Sequence, residues 1–180
     1  MTTPPRFPLP EINALTAEHF AAAFGAVYEH SPWIAQRAFQ LRPGSGFASR
    51  AALHAAPVAT APAAAESEQV ALLCAHPELA GKEAEAGAQT ADSAREQARA
   101  GLSALGRAEV ERLRALNAKY RERFGFTFII AARNNTRAAI FGTLEARLHN
   151  TRMMELHNAL AQVGEIARLR LGDLVVDRET

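Results

Sequence analysis

One stretch of this chain restricts its fold more than any other. FTFIIAA at 126–132 is apolar and β-prone, and no second convincing strand exists to pair with it. A lone strand leaves main-chain N–H and C=O groups without a ladder and is marginal. The stretch therefore reads as a short extended segment buried among helices, and the chain as all-α. Helix signals recur on both sides of it. Thr16 can cap a helix carrying Phe20, Phe24 and Val27 on one face. Ser31-Pro32 repeats the start signal for a short helix through Trp33 and Ile34 to Gln40, and RPGSG at 42–46 is a loop. Residues 47–65 are alanine-rich but hold Pro57 and Pro62, which predicts one helix around 48–56 and then an irregular link. Helicity resumes near Glu66, with Val70 and Leu73 inward, and ends at His76 because Pro77 disfavours helical geometry before it. Residues 81–92 read as a polar loop, followed by a helix from Ser93 to Leu105 that stops at Gly106. Val110, Leu113, Leu116, Tyr120 and Phe124 line the next helix, which stops at Gly125. Thr136 opens a helix through Ile140, Leu144 and Leu148, and the last helix runs from Thr151 to Leu174. The expectation is a single-domain bundle of roughly eight or nine mostly short helices that depend on tertiary packing.

Composition narrows the function. With 180 residues, 48% hydrophobic and 22% charged, the chain fits one domain with a real core. A net charge of +1 selects neither nucleic acid nor an anionic membrane. A single cysteine excludes a disulfide framework. The proline-rich segment 1–10, MTTPPRFPLP, has no apolar core of a signal peptide, and the helical domain is expected over 11–180. No run of about 18 apolar residues is present. A cytoplasmic protein follows by elimination. The histidines make no metal-ligand spacing, and no HExxH, GxSxG, Walker or GxGxxG motif occurs.

Three places could carry chemistry. Ser93-x-x-Glu96 fits a capping box, with Gln97 left to solvent or a neighbour. The same helix start offers N–H donors and a positive dipole end to an anionic or carbonyl-rich ligand. His76 at a helix end can be structural, bonding the last carbonyls, or an acid/base group. Nearby Cys74 lies in an apolar run and reads as a small core residue rather than a nucleophile. Arg170 falls within the apolar stripe of the last helix, through Met153, Leu156, Leu160, Val163, Ala167 and Leu174. Such an arginine needs a carboxylate, a carbonyl end or a ligand.

Taken together, YEHSPWIA (28–35), AHPELAG (75–81), SAREQARAGL (93–102), LNAKYRERFGFTFIIAAR (116–133) and EIARLRLGDL (165–174) resemble the family of 2-oxo-4-hydroxy-4-carboxy-5-ureidoimidazoline (OHCU) decarboxylases of the urate-to-allantoin pathway. The family usually has proline where this chain has Thr127, and a more continuous helix around 57–62. The resemblance implies an all-helical enzyme, homodimer or monomer, that needs no cofactor or metal. His76 would be the acid/base residue, with Glu96 beside it in catalysis. Pro77, Ser93, Ala94, Arg95, Glu96, Gln97, the backbone of Phe128, Ile129, Ile130, Ala131 and Ala132, and Arg170 would hold the substrate. It also implies functional coupling to a separate 5-hydroxyisourate hydrolase. The readings set against it are a decarboxylase of a related ureido-imidazoline acid and a non-catalytic helical partner-binding module.

Overall fold

The computed structural model describes residues 6–81 and 89–176. Residues 82–88, within the expected polar loop, lie outside the described residues, as do 1–5 of the proline-rich segment. The chain forms two compact units: Met1–Ala65 with Gly164–Thr180, and Glu66–Val163. The last helix contributes its second half to the first unit and its first half to the second.

In the first unit, β1 (Phe7–Pro8) pairs in parallel with β2 (Val175–Val176), a two-residue ladder that the sequence did not suggest. Helices α1 (Leu9–Ala14), α2 (Ala17–Phe24), α3 (Trp33–Gln40) and α4 (Arg50–Ala63) follow. Thr16 caps α2 as expected, accepting from the His19 N–H. Phe20 is the hub of this core, with ring centroids of Phe24, Phe39 and Phe47 at 4.8, 5.4 and 6.2 Å. Asn13 anchors the loop after α3: its amide donates to the Phe47 carbonyl at 2.9 Å and accepts the Phe47 N–H at 2.8 Å.

Two local expectations fail in this unit. Ser31 does not cap α3 with its side chain; the helix begins at Trp33 after Pro32. The larger difference is α4, which runs unbroken through Pro57 and Pro62. Each proline forfeits one i→i−4 bond, and that loss is set against burial of Leu53, Pro57, Thr60 and Ala61 along one face. Tertiary packing overrides the local rule here.

The second unit holds α5 (Glu66–Cys74), α6 (Ala91–Arg99), α7 (Arg107–Phe124), α8 (Arg137–Arg147) and the first half of α9 (Arg152–Leu174). Gly125, at φ +81°, ends α7, and Thr136 caps α8, both as the sequence suggests. The inward face of α5 is Gln69, Leu72 and Leu73, and His76 continues it at the same three-four spacing. Cys74 therefore points outward and is exposed, correcting the core reading. The stripe of α9 also starts differently. Met153 is 79% exposed, and the buried line begins instead at Glu155 and continues through Ala159, Leu160 and Val163.

Residues 126–132 are buried; 126–131 belong to no helix or strand, and Ala132 opens a short 3-10 turn, so the expected extended segment ends one residue early. Side chains replace the missing ladder. Arg147 donates to the Ile129 carbonyl at 2.9 Å, and Gln162 accepts the Ala131 N–H at 2.9 Å. The Asn135 amide donates to the Ala131 carbonyl at 2.9 Å. Arg147 is itself held by Glu155 at 2.8 Å and stacks 4.8 Å from the Phe128 ring centre. Glu155 is fully buried and also accepts from Tyr120 (2.5 Å), Asn150 (2.6 Å) and Asn158 (3.0 Å). Burial alone would raise the Glu155 carboxyl. The Tyr120, Asn150 and Asn158 hydrogen bonds and the Arg147 charge outweigh burial and hold it below its ordinary range. Burial, with the Glu155 bond second, pushes the Tyr120 phenol up.

Removing one partner of this pair strands a buried charge, so Arg147→Met is expected to cost about 3–5 kcal/mol in urea unfolding. Arg147→Met/Glu155→Leu is expected to recover part of that loss. Because the folded-state Glu155 is depressed, its contribution is present above its unfolded value of about 4.3 and is lost as pH falls through the folded one. Wild-type urea midpoints measured downward from pH 5 should fall more steeply than those of the double variant.

Candidate functional site

Helix α6 carries its polarity on the wrong side for an ordinary surface helix. Ser93, Glu96 and Gln97 are buried, whereas Ala94 and Arg95 are exposed and Arg95 pairs with Asp92. The helix also starts earlier than expected. Thr90 is the N-cap, accepting the Ser93 N–H at 3.3 Å, so Ser93 lies in the first turn and the predicted capping box does not form. The helix ends at Arg99, and Gly101 turns the chain at φ +78° before a short 3-10 turn, Leu102–Ala104.

Gln97 explains the neighbouring HPELAG stretch. Its Oε1 accepts the Ala80 N–H at 3.0 Å, and its Nε2 donates to the Glu78 carbonyl at 3.3 Å. An amide offers two donors and two acceptor lone pairs, so these bonds use half its capacity. Helix α7 holds the same loop from a second direction. Asn117 donates to the Leu79 carbonyl at 3.0 Å, Arg114 to the Ala80 carbonyl at 3.4 Å, and Arg121 pairs with Glu78 at 2.9 Å. Ala80 sits at φ +49°, a conformation that side-chain-bearing residues adopt only when their surroundings impose it.

His76 opens this loop and is 6% exposed. Its Nδ1 lies 2.9 Å from the Leu72 carbonyl, which can only accept, so Nδ1 carries the proton. In the neutral ring Nε2, itself buried, then bears the lone pair. Helix α6 packs against the 3-10 turn Ala132–Asn134 that closes the extended segment. The loop after His76, the polar face of α6 and the segment 126–134 are thus joined within one unit. Two joints argue this: the Gln97 bonds and the packing of α6 on that turn.

The main-chain groups of the segment are unevenly used. Ile129 O, Ala131 N and Ala131 O have side-chain partners, and Ala132 O accepts the Asn135 N–H at 3.1 Å. Among the described residues the N–H and C=O of Ile130 make no hydrogen bond, although Ile130 is 6% exposed. Thr127 is also buried. In the other unit, Arg170 donates to Glu29 at 2.6 Å and to the Val27 carbonyl at 3.2 Å. Glu29 carries that carboxylate on a backbone at φ +52°, a strained choice for a non-glycine residue. Among the described residues no three His, Cys, Asp or Glu side chains converge as a metal-ligand set.

Arg147, Glu155, Asn117 and Gln162 were not singled out in the sequence. Asn117, four residues after Leu113 and three before Tyr120, and Arg147, seven after Ile140 and three after Leu144, share the mark that singles out Arg170, a polar side chain on an apolar stripe. Glu155 and Gln162 carry no such mark, and only their contacts identify them.

Comparison with known proteins gives a consistent result. The family model described as OHCU decarboxylase matches residues 13–172. A Haloferax volcanii protein named 2-oxo-4-hydroxy-4-carboxy-5-ureidoimidazoline decarboxylase is 40% identical over 165 residues, covering 92% of this chain and 94% of that one. The uric acid degradation bifunctional protein of Bacillus subtilis is 36% identical, and the match covers 96% of this chain but 33% of that one. A crystal structure of (S)-allantoin synthase superposes with a TM-score of 0.73 at 28% identity, over 93% of this chain and 54% of that chain.

Gln97→Leu removes both loop bonds at once. It is expected to cost about 1–3 kcal/mol and to speed hydrogen exchange at the Ala80 amide, with α7 unaffected. Exchange followed by NMR checks this.

Proposed function

Because the chain belongs to the OHCU decarboxylase family, we propose that it decarboxylates 2-oxo-4-hydroxy-4-carboxy-5-ureidoimidazoline to (S)-allantoin in urate degradation. It is a carboxy-lyase. The observation that supports the site most strongly is the joining of the His76 loop to the buried Ser93–Glu96–Gln97 face through Gln97.

The substrate carries its carboxylate on a carbon next to a C=N bond. Electrons released with CO₂ flow into that imine, so the substrate supplies its own electron sink. The protein must orient the C–CO₂⁻ bond, stabilise the enamine-like charge and deliver a proton to one face. His76 is assigned the proton step. Its Nδ1–H is tied to Leu72, so Nε2 is the atom that exchanges the proton. Glu96 orients His76 or holds the substrate hydroxyl. Gln97 fixes the loop that follows His76 and keeps amide capacity for a ring or ureido group. The peptide groups of Ile130 match the alternating N–H and C=O edge of such a ring. Arg170 is assigned to substrate binding on the resemblance, with Glu29 orienting its guanidinium.

The name of the bifunctional relative supports coupling to another step of uric acid degradation, and we assign that step to a hydrolase that supplies the unstable substrate. A cytoplasmic location belongs to the same proposal. Among the described residues no helix is long and apolar enough to cross a membrane.

His76→Asn is expected to lower stereospecific turnover by roughly 10²–10⁴-fold with the fold intact. The spontaneous reaction also yields allantoin, so optical activity of the product is the readout. Wild-type-like rates would remove His76 from the mechanism.

A further inference from the structure

We propose that Gln162 is a positioning residue for the decarboxylation. By accepting the Ala131 N–H, with Arg147 on the Ile129 carbonyl, it aims the peptide groups of Ile130 at the substrate ring. This rests on the reading of 128–132 as a substrate-binding surface.

The segment has no strand neighbour to fix its register, so its main chain is only as well placed as its side-chain anchors. Two anchors stand one residue either side of Ile130: Arg147 to Ile129 O and Gln162 to Ala131 N, each at 2.9 Å. Between them lie an N–H and a C=O that make no bond among the described residues, in a residue 6% exposed. Buried peptide groups are rarely left unpaired, and a ligand with complementary groups is a natural partner. The two anchors differ in kind. Arg147 is tied to Glu155, Tyr120 and Phe128, so it holds the core as well as the segment. Gln162 is half-buried, and among the described residues its side chain makes this one hydrogen bond. It acts on the substrate only through the backbone it steadies. An error of about an ångström in such a surface weakens binding while leaving the proton-transfer group in place.

The test compares Gln162→Leu, Gln162→Ala and Gln162→Glu in full-length protein, with substrate generated from urate and product followed by circular dichroism. Glutamate keeps an acceptor oxygen, and assays at about 0.5 M salt screen its added charge. Leucine and alanine are expected to raise KM roughly tenfold while kcat falls less than about threefold, and glutamate to restore KM to within about threefold of wild type. Melting temperatures separate this from a packing role, which would lower kcat with the folded fraction and leave KM unchanged. Wild-type KM in the leucine and alanine variants, or equal impairment in all three, would overturn the proposal. His76→Asn assayed alongside keeps the two readings apart. Stereospecific turnover surviving in that variant strikes the functional reading, whereas its loss beside an unaffected Gln162→Leu strikes only the positioning role.

Discussion

The buried contact between Arg147 and Glu155 is the interaction on which the second unit most depends. The chain has to bury an extended apolar segment without a strand beside it, and an unpaired peptide in that position is costly. A guanidinium that reaches the Ile129 carbonyl, covers the Phe128 ring and closes on a fully buried carboxylate meets several of those needs with one side chain. Tyr120, Asn150 and Asn158 complete the carboxylate's partners, so the charge is buried with its hydrogen bonds satisfied. Such a network adds little net stability over an apolar core. What it does is tie the Ile129 carbonyl to the core of the unit.

The same logic governs the other wall of the candidate site. A helix that buries serine, glutamate and glutamine gives up apolar burial, and the loop it holds adopts a strained conformation at Ala80. Gln97, Asn117, Arg114 and Arg121 offset that strain with bonds to three consecutive loop residues, Glu78, Leu79 and Ala80. Polar groups facing inward on α6, a histidine with its tautomer set by Leu72 and unused peptide groups at Ile130 belong together chemically. In the proposed reaction they orient a small polar substrate and move one proton.

Much of the fold could be read from spacing. Thr16, Thr136 and Gly125 mark helix ends because each offers a side chain or a left-handed turn that the local backbone requires. The failures have physical causes. Thr90 and Ser93 both satisfy the rule for an N-cap, and burial of Ser93 selects Thr90. Pro57 and Pro62 obey the helix-breaking rule locally but lie in a helix whose packing outweighs it. Met153 reads as inward because it is apolar, whereas Glu155 occupies that place and meets Arg147. Of the candidate site, His76, Glu96 and Gln97 stood out only as a combination of motifs. The partners of the residues that support the segment are not legible, since no pattern in sequence links Arg147 or Gln162 to a main-chain group many residues away.

The most direct measurement follows the circular dichroism of urate oxidation, coupled to 5-hydroxyisourate hydrolysis, with and without this protein. Rapid appearance of a single allantoin enantiomer is expected when the protein is present, and slow racemic product when it is absent. Racemic allantoin at the spontaneous rate in both reactions, from folded protein, would contradict the proposed activity.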